Sequence, residues 1–225
     1  MLHLIQVLSA SASTSRGRLA QDGVKFRTLC GRCNNELLGI RYDPELIRFV
    51  NSVGTILKSS LILPTRVNVP VVPQKVMRAV VGHILAFGLD RRAENRFDSA
   101  MAEYFLDDAK SLPSSINFYY WVYPYQHQII VRDAELASFG GKEPVVFKLL
   151  KFFPLAFFVT WEEPPGYGFN FEGLTKFGSC ALDDEFSAAI DMKVVPDMQW
   201  PEAPSRDTFL LYGADAMAAK PYVRH

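Results

Sequence analysis

The amino-acid sequence predicts an α+β protein, with helices gathered in its first half and antiparallel strands in its second. Three observations carry this. A helix start is spelled out at "YDPELIRFVNSVG", residues 42–54. Two more stretches with apolar residues at three- and four-residue spacing follow before Pro113. Beyond that point the pattern changes to short runs rich in aromatic and β-branched residues.

In the first helix Asp43 can cap, Pro44 fits the opening turn and Glu45 suits the positive end of the dipole. Leu46, Phe49, Val50 and Val53 share one face, and Gly54 is a natural stop. "TRVNVPVVP" is punctuated by proline and extended. A second helix spans Gln74 to Phe87 with Val76, Val80, His83 and Phe87 along one face, so His83 reads as a core histidine. "RFDSAMAEYFLDDAKSL" is a third, ending before Pro113. "INFYYWVYP" and "HQIIVRD" flank the short "PYQ" and predict a β-hairpin. Alternation sends Phe118, Tyr120 and Val122 to one face and Tyr119, Trp121 and Tyr123 to the other, as in a strand covered on both sides. The other use of such aromatics, stacking the bases of single-stranded nucleic acid beside Arg132, is the weaker reading. "LAFFVTW" is another strand. "VVFKLLKFF" reads both ways, since lysines three apart suit a helix and the composition suits a strand. The last 45 residues, with scattered prolines and aromatics, are expected to wrap the domain in extended form. This divides the chain into an N-terminal module over residues 1–54 and an α+β domain over residues 55–225, helical at 74–112 and β-rich from 116 onward.

Composition sets the class. Of 225 residues, 49% are apolar and 21% charged, as in a soluble globular protein. Acidic and basic residues balance at 24 each, so whole-chain charge selects no partner. Locally, six basic residues face three acids between Arg16 and Asp43, a mildly basic stretch that suits an anionic ligand. From Asp183 to Asp207 seven acids outnumber Lys193 and Arg206. Three cysteines, an odd number, argue against a disulfide framework and for a reducing compartment. The N-terminal "MLHLIQVLSASASTSRGR" lacks the basic opening of a secretion signal, and Lys148, Lys151 and Pro154 interrupt the most apolar segment. The expected location is the cytoplasm, with no membrane partner.

The cysteines carry the chemistry. Cys30 and Cys33 in "FRTLCGRCNNELLG" have the spacing of a redox dithiol and of half a zinc site. Cys180, His83, His127 and His225 are scattered candidates for completing a tetrahedron, and His3 is a fifth. The redox alternative calls for a preceding core strand and a long helix opened by the pair. A third reading is a non-enzymatic binding module that the knuckle merely staples.

The run "FRTLCGRCNNELLG.RYDPEL" resembles the C-terminal knuckle of zinc-ribbon-containing HNH-type endonucleases, in which Cys-x-x-Cys is followed at once by Asn or His at a helix start. In that family a histidine on a preceding strand lies a few tens of residues earlier, and "MLHLIQ" places His3 twenty-seven residues before Cys30. The resemblance covers about the first forty residues. It implies a ββα-metal fold and metal-dependent phosphodiester hydrolysis of DNA. His3 would be the general base and Asn34 a ligand of a divalent cation such as magnesium. Cys30 and Cys33 would hold a structural zinc. The match departs from the family at three points. Leu2 stands where an acidic ligand is usual, no cysteine pair precedes His3, and "GVKFRT" lacks the family's central Asn. The module is therefore expected to be degenerate or shortened at its N-terminus, and a start assigned too late and a genuine loss of catalysis would leave the same pattern.

Overall fold

The computed structural model describes residues 28–59, 62–87, 95–138, 143–164, 169–202 and 208–219, with backbone alone from Tyr212 to Ala219. The fold is α+β. A helical run over residues 31–57 comprises a wide, π-wound segment (Arg32–Tyr42) continuing into α1 (Asp43–Leu57). After it come β1 (Arg66–Val71), α2 (Pro73–Ala86) and α3 (Arg96–Leu106). The β half contains β2 (Ile116–Val122), β3 (Ile129–Ser138), β4 (Val145–Phe152), β5 (Leu155–Trp161), β6 (Glu172–Gly173), β7 (Phe186–Asp191) and β8 (Thr208–Ala219).

Six strands form one antiparallel sheet in the order β6-β2-β5-β4-β3-β8, while β1 and β7 pair as a separate ribbon. The hairpin expected from β2 and β3 does not form. β2 pairs with β5 along its whole length, and β4 and β5 stand between β2 and β3. The cause is a Greek-key return, in which a three-strand meander β3-β4-β5 brings its last strand beside β2. Residues 123–128 can make that crossing. Six extended residues span up to about 20 Å, and three interstrand steps of about 4.8 Å need roughly 14 Å.

Other boundaries also move. The first helix passes through Gly54 to Leu57, because Gly54 packs inward, where an added Cβ would meet the Phe153 ring at 3.4 Å. The third helix ends at Leu106, where Asp107 turns extended and its carboxylate accepts the Ala109 N–H at 3.1 Å. "VVFKLLKFF" is strand β4, and its two lysines therefore point to opposite faces.

The sheet is buried on both faces. Towards the helices, Phe118, Tyr120, Val122, Phe157 and Val159 join Leu46, Phe49, Val76, Val80 and Tyr104 in the main core. On the other face Trp121, Tyr123, Phe147, Leu149 and Phe158 are covered by Phe169, Phe171, Met198 and Trp200. The late chain thus wraps the domain as its composition suggests. Trp121 stacks on Phe171 with centroids 4.7 Å apart.

Lys148 and Lys151 are both fully buried. On the helical face, the Lys148 ammonium lies 2.7 Å from Asp98 and 2.6 Å from Asp133. Arg132 also bonds Asp98 and donates to the Phe87 carbonyl at 3.0 Å. A bulge in β3, with Asp133 at φ 59°, lets consecutive residues Arg132 and Asp133 both reach this cluster. On the outer face, Lys151 donates to the carbonyls of Met198 (2.8 Å) and Trp200 (3.0 Å) and pairs with Glu202 at 2.6 Å.

Burial works to raise the Asp98 carboxyl. The Lys148 charge and hydrogen bonds from Lys148 and Arg132 together outweigh it and hold the group below the ordinary carboxylate range. Removing the carboxylate leaves two buried cations sharing Asp133 alone, so Asp98→Ala is expected to cost about 3–5 kcal/mol in denaturant unfolding. Because the native value is depressed, this stabilisation is complete above the unfolded carboxyl value of about 3.9. It is lost as pH falls from there through the lower native value, and an acid titration of wild type against Asp98→Ala measures it.

Candidate functional site

Cys30 and Cys33 sit at the opening turn of the 31–57 helical run, held there by a few contacts. The Thr28 hydroxyl donates to the carbonyl of Ala86, the last residue of α2, at 2.6 Å. Leu29 and Cys33 pack against the core, and Leu37 and Leu38 are buried in it. Leu38 enters a notch in α2 at Gly82, where an added Cβ would come within 2.7 Å of both Leu38 and Phe105. Farther on, Arg41 pairs with Asp108, and the Tyr42 hydroxyl donates to the Phe105 carbonyl at 3.3 Å. The knuckle is therefore seated on α2 and α3, and α3 is tied to the sheet through Asp98.

The wide winding of residues 32–42 leaves little room beside Gly39, where an added Cβ would lie 3.3 Å from the Asn34 carbonyl. Such winding is uncommon and recurs at functional sites. The helix continues past Gly39, so the pair does open a long helix, as a redox dithiol or a knuckle requires.

The two sulfurs are 3.0 Å apart, and the Cys33 backbone N–H points at the Cys30 Sγ at 3.3 Å. Cys30 is exposed and Cys33 partly buried. Hydrogen bonds from the Cys33 thiol and its backbone N–H push the Cys30 pKa down. Burial, then the hydrogen bond and charge of Cys30, push the Cys33 pKa up. One proton shared between two sulfurs produces this opposition. Arg32 and Glu36 flank the pair on the surface, 3.9 Å apart.

The structure thus brings together three residues singled out by sequence, Cys30, Cys33 and Asn34. The Asn34 amide is exposed and donates to the Asn35 side chain at 3.0 Å, which leaves its own oxygen available. His3 lies outside the described residues, as does "GVKFR". Cys180 borders the opposite end of α2, where it bonds the Gln74 side chain. Gln74 and Ala86 are twelve positions apart along α2, roughly 18 Å at 1.5 Å per residue. His83 is half-exposed rather than core and contacts Asp43 at 3.1 Å. Among the described residues no group of three His, Cys, Asp or Glu side chains converges. The pair fits one edge of a zinc tetrahedron, and Asn34 adds one exposed amide oxygen beside it.

Sequence reading did not find a groove of about 520 Å³ between α3 and the loop after it, lined by Arg96, Ser99, Glu103, Tyr104, Lys110 and Trp161. Trp161 comes from β5, and nothing local in the sequence links it to α3. No helix among the described residues is long and apolar enough to cross a membrane. No protein-family model, curated protein or solved structure matches the chain.

Under limiting iodoacetamide, Cys30 is expected to be alkylated before Cys33 and Cys180 by peptide mass mapping, with an inflection in rate below the ordinary thiol range. In Cys33→Ala, which removes the side-chain donor, that inflection should move back up.

Proposed function

We propose that the chain works through Cys30, Cys33 and Asn34 as a zinc-holding, DNA-directed module of HNH type. The observation that carries this reading is the convergence of two thiols at the first turn of a helix that presents Asn34 outward. Zinc favours thiolates and tetrahedral geometry, and its binding releases the thiol protons. The lowered Cys30 pKa makes the first release easier. Bound this way, the metal would lock the opening turn and so fix the direction in which Asn34 projects. Arg32 beside the pair and the basic stretch upstream suit a phosphate backbone. Cleavage rests on the resemblance alone, with His3 as the base that takes a proton from water and a divalent cation such as magnesium supplying charge stabilisation at the phosphate. The cytoplasm, which keeps thiols reduced, is the compartment this chemistry fits.

Three measurements test the proposal on the full chain. Zinc should co-purify and be lost in Cys30→Ser and Cys33→Ser. Duplex DNA should be bound, with affinity falling as salt rises. Any magnesium-dependent nicking should vanish in His3→Ala while zinc content stays the same. A wild-type chain that takes up no zinc, or binds DNA no better than the cysteine variants, would defeat the reading.

A second reading, thiol–disulfide exchange, is favoured by one specific observation. The exposed first cysteine has a lowered pKa and the partly buried second a raised one, as in an attacking and a resolving thiol. Equilibration with reduced and oxidised glutathione separates the two. Exchange predicts a reversible Cys30–Cys33 disulfide with no zinc uptake.

A further inference from the structure

We infer that the zinc site is completed by a second copy of this chain, so that Cys30 and Cys33 of two protomers hold one metal across a two-fold axis. The inference rests on the zinc reading above and adds its partner.

The starting point is valence. Four ligands at about 2.3 Å close a structural zinc site, and the spacing of two thiolates on one metal is then roughly 3.8 Å. The two sulfurs, at 3.0 Å, need only a small side-chain rotation to reach it. They supply half of the ligands. The described residues bring no third His, Cys, Asp or Glu to them. Cys180 belongs to the other end of α2 and His83 is engaged with Asp43. A second copy, in contrast, offers two identical thiols at the same spacing.

The surface around the pair admits such a partner. Cys30, Gly31, Arg32, Asn34 and Asn35 are all exposed, and a Cβ added at Gly31 would meet nothing within 4 Å. Charge also fits. Binding one Zn²⁺ to four thiols releases four protons and leaves a site of net charge −2. Each protomer places one Arg32 next to it, 76% exposed and 3.9 Å from Glu36, a cation that offsets part of this charge.

The test uses the full reduced chain, titrated with zinc alone and followed by sedimentation and metal analysis. The expected result is half a zinc per chain at saturation, with particle mass doubling from 25.4 kDa and returning on chelation. Cys30→Ser, at an exposed position, should remain monomeric and lose the zinc. Arg32→Glu keeps both thiols and should raise the dimer dissociation constant severalfold. One zinc per chain in a particle of unchanged mass would overturn the bridge and leave the zinc reading standing. No zinc uptake at all would overturn both.

Discussion

The Asp98 carboxylate is the pin on which the molecule turns. It comes from the first turn of α3 and accepts from Arg132 and Lys148, which belong to neighbouring strands of the sheet. A carboxylate this deeply buried is tolerated only with both cations in place. The neighbouring aspartate completes a neutral quartet of two acids and two bases. Pairing of this kind specifies geometry more than it adds stability, because apolar side chains could fill the same space in many orientations. The result is one allowed placement of α3 on the sheet. α2 packs against α3, and the cysteine-bearing helix packs against both.

The opposite face of the sheet repeats the device with different partners. Lys151 holds no helix. It gathers two backbone carbonyls and Glu202 from the late chain and draws Met198 and Trp200 over the aromatic face. One strand thereby fastens both outer layers, through side chains three positions apart that alternation sends in opposite directions.

This arrangement explains what the sequence could and could not disclose. Strand β5 was legible to the residue, because Leu155–Trp161 is a dense run of β-formers closed by charged residues. Helix α2 and the two-sided burial of β2 were legible for similar local reasons. The pairing of β2 was not. Adjacent strands suggest a hairpin, and only the β4–β5 meander, whose lysines disguise it as a possible helix, shows why β2 has another neighbour. The buried lysines were hidden by the usual exposure of that residue type, since their partners lie 15 to 51 positions away. For the site, local sequence identified Cys30, Cys33 and Asn34, which a single helical turn unites. It could not show that Cys180 lies at the wrong end of α2 or that the helix would run past Gly39.

The wide turn after the cysteines has a geometric consequence. Leu38 is seated in the Gly82 notch and Tyr42 is tied to α3, so the phase of the helix is set downstream of the pair. Each residue along an α-helix rotates direction by about 100°. The number of residues between Cys33 and Leu38 therefore acts as an angular dial, and the loosened winding of this segment is its setting. One residue added or removed there would aim the same two thiols at a different quarter of the surroundings, and would turn Leu29 and Cys33 away from the core they now touch.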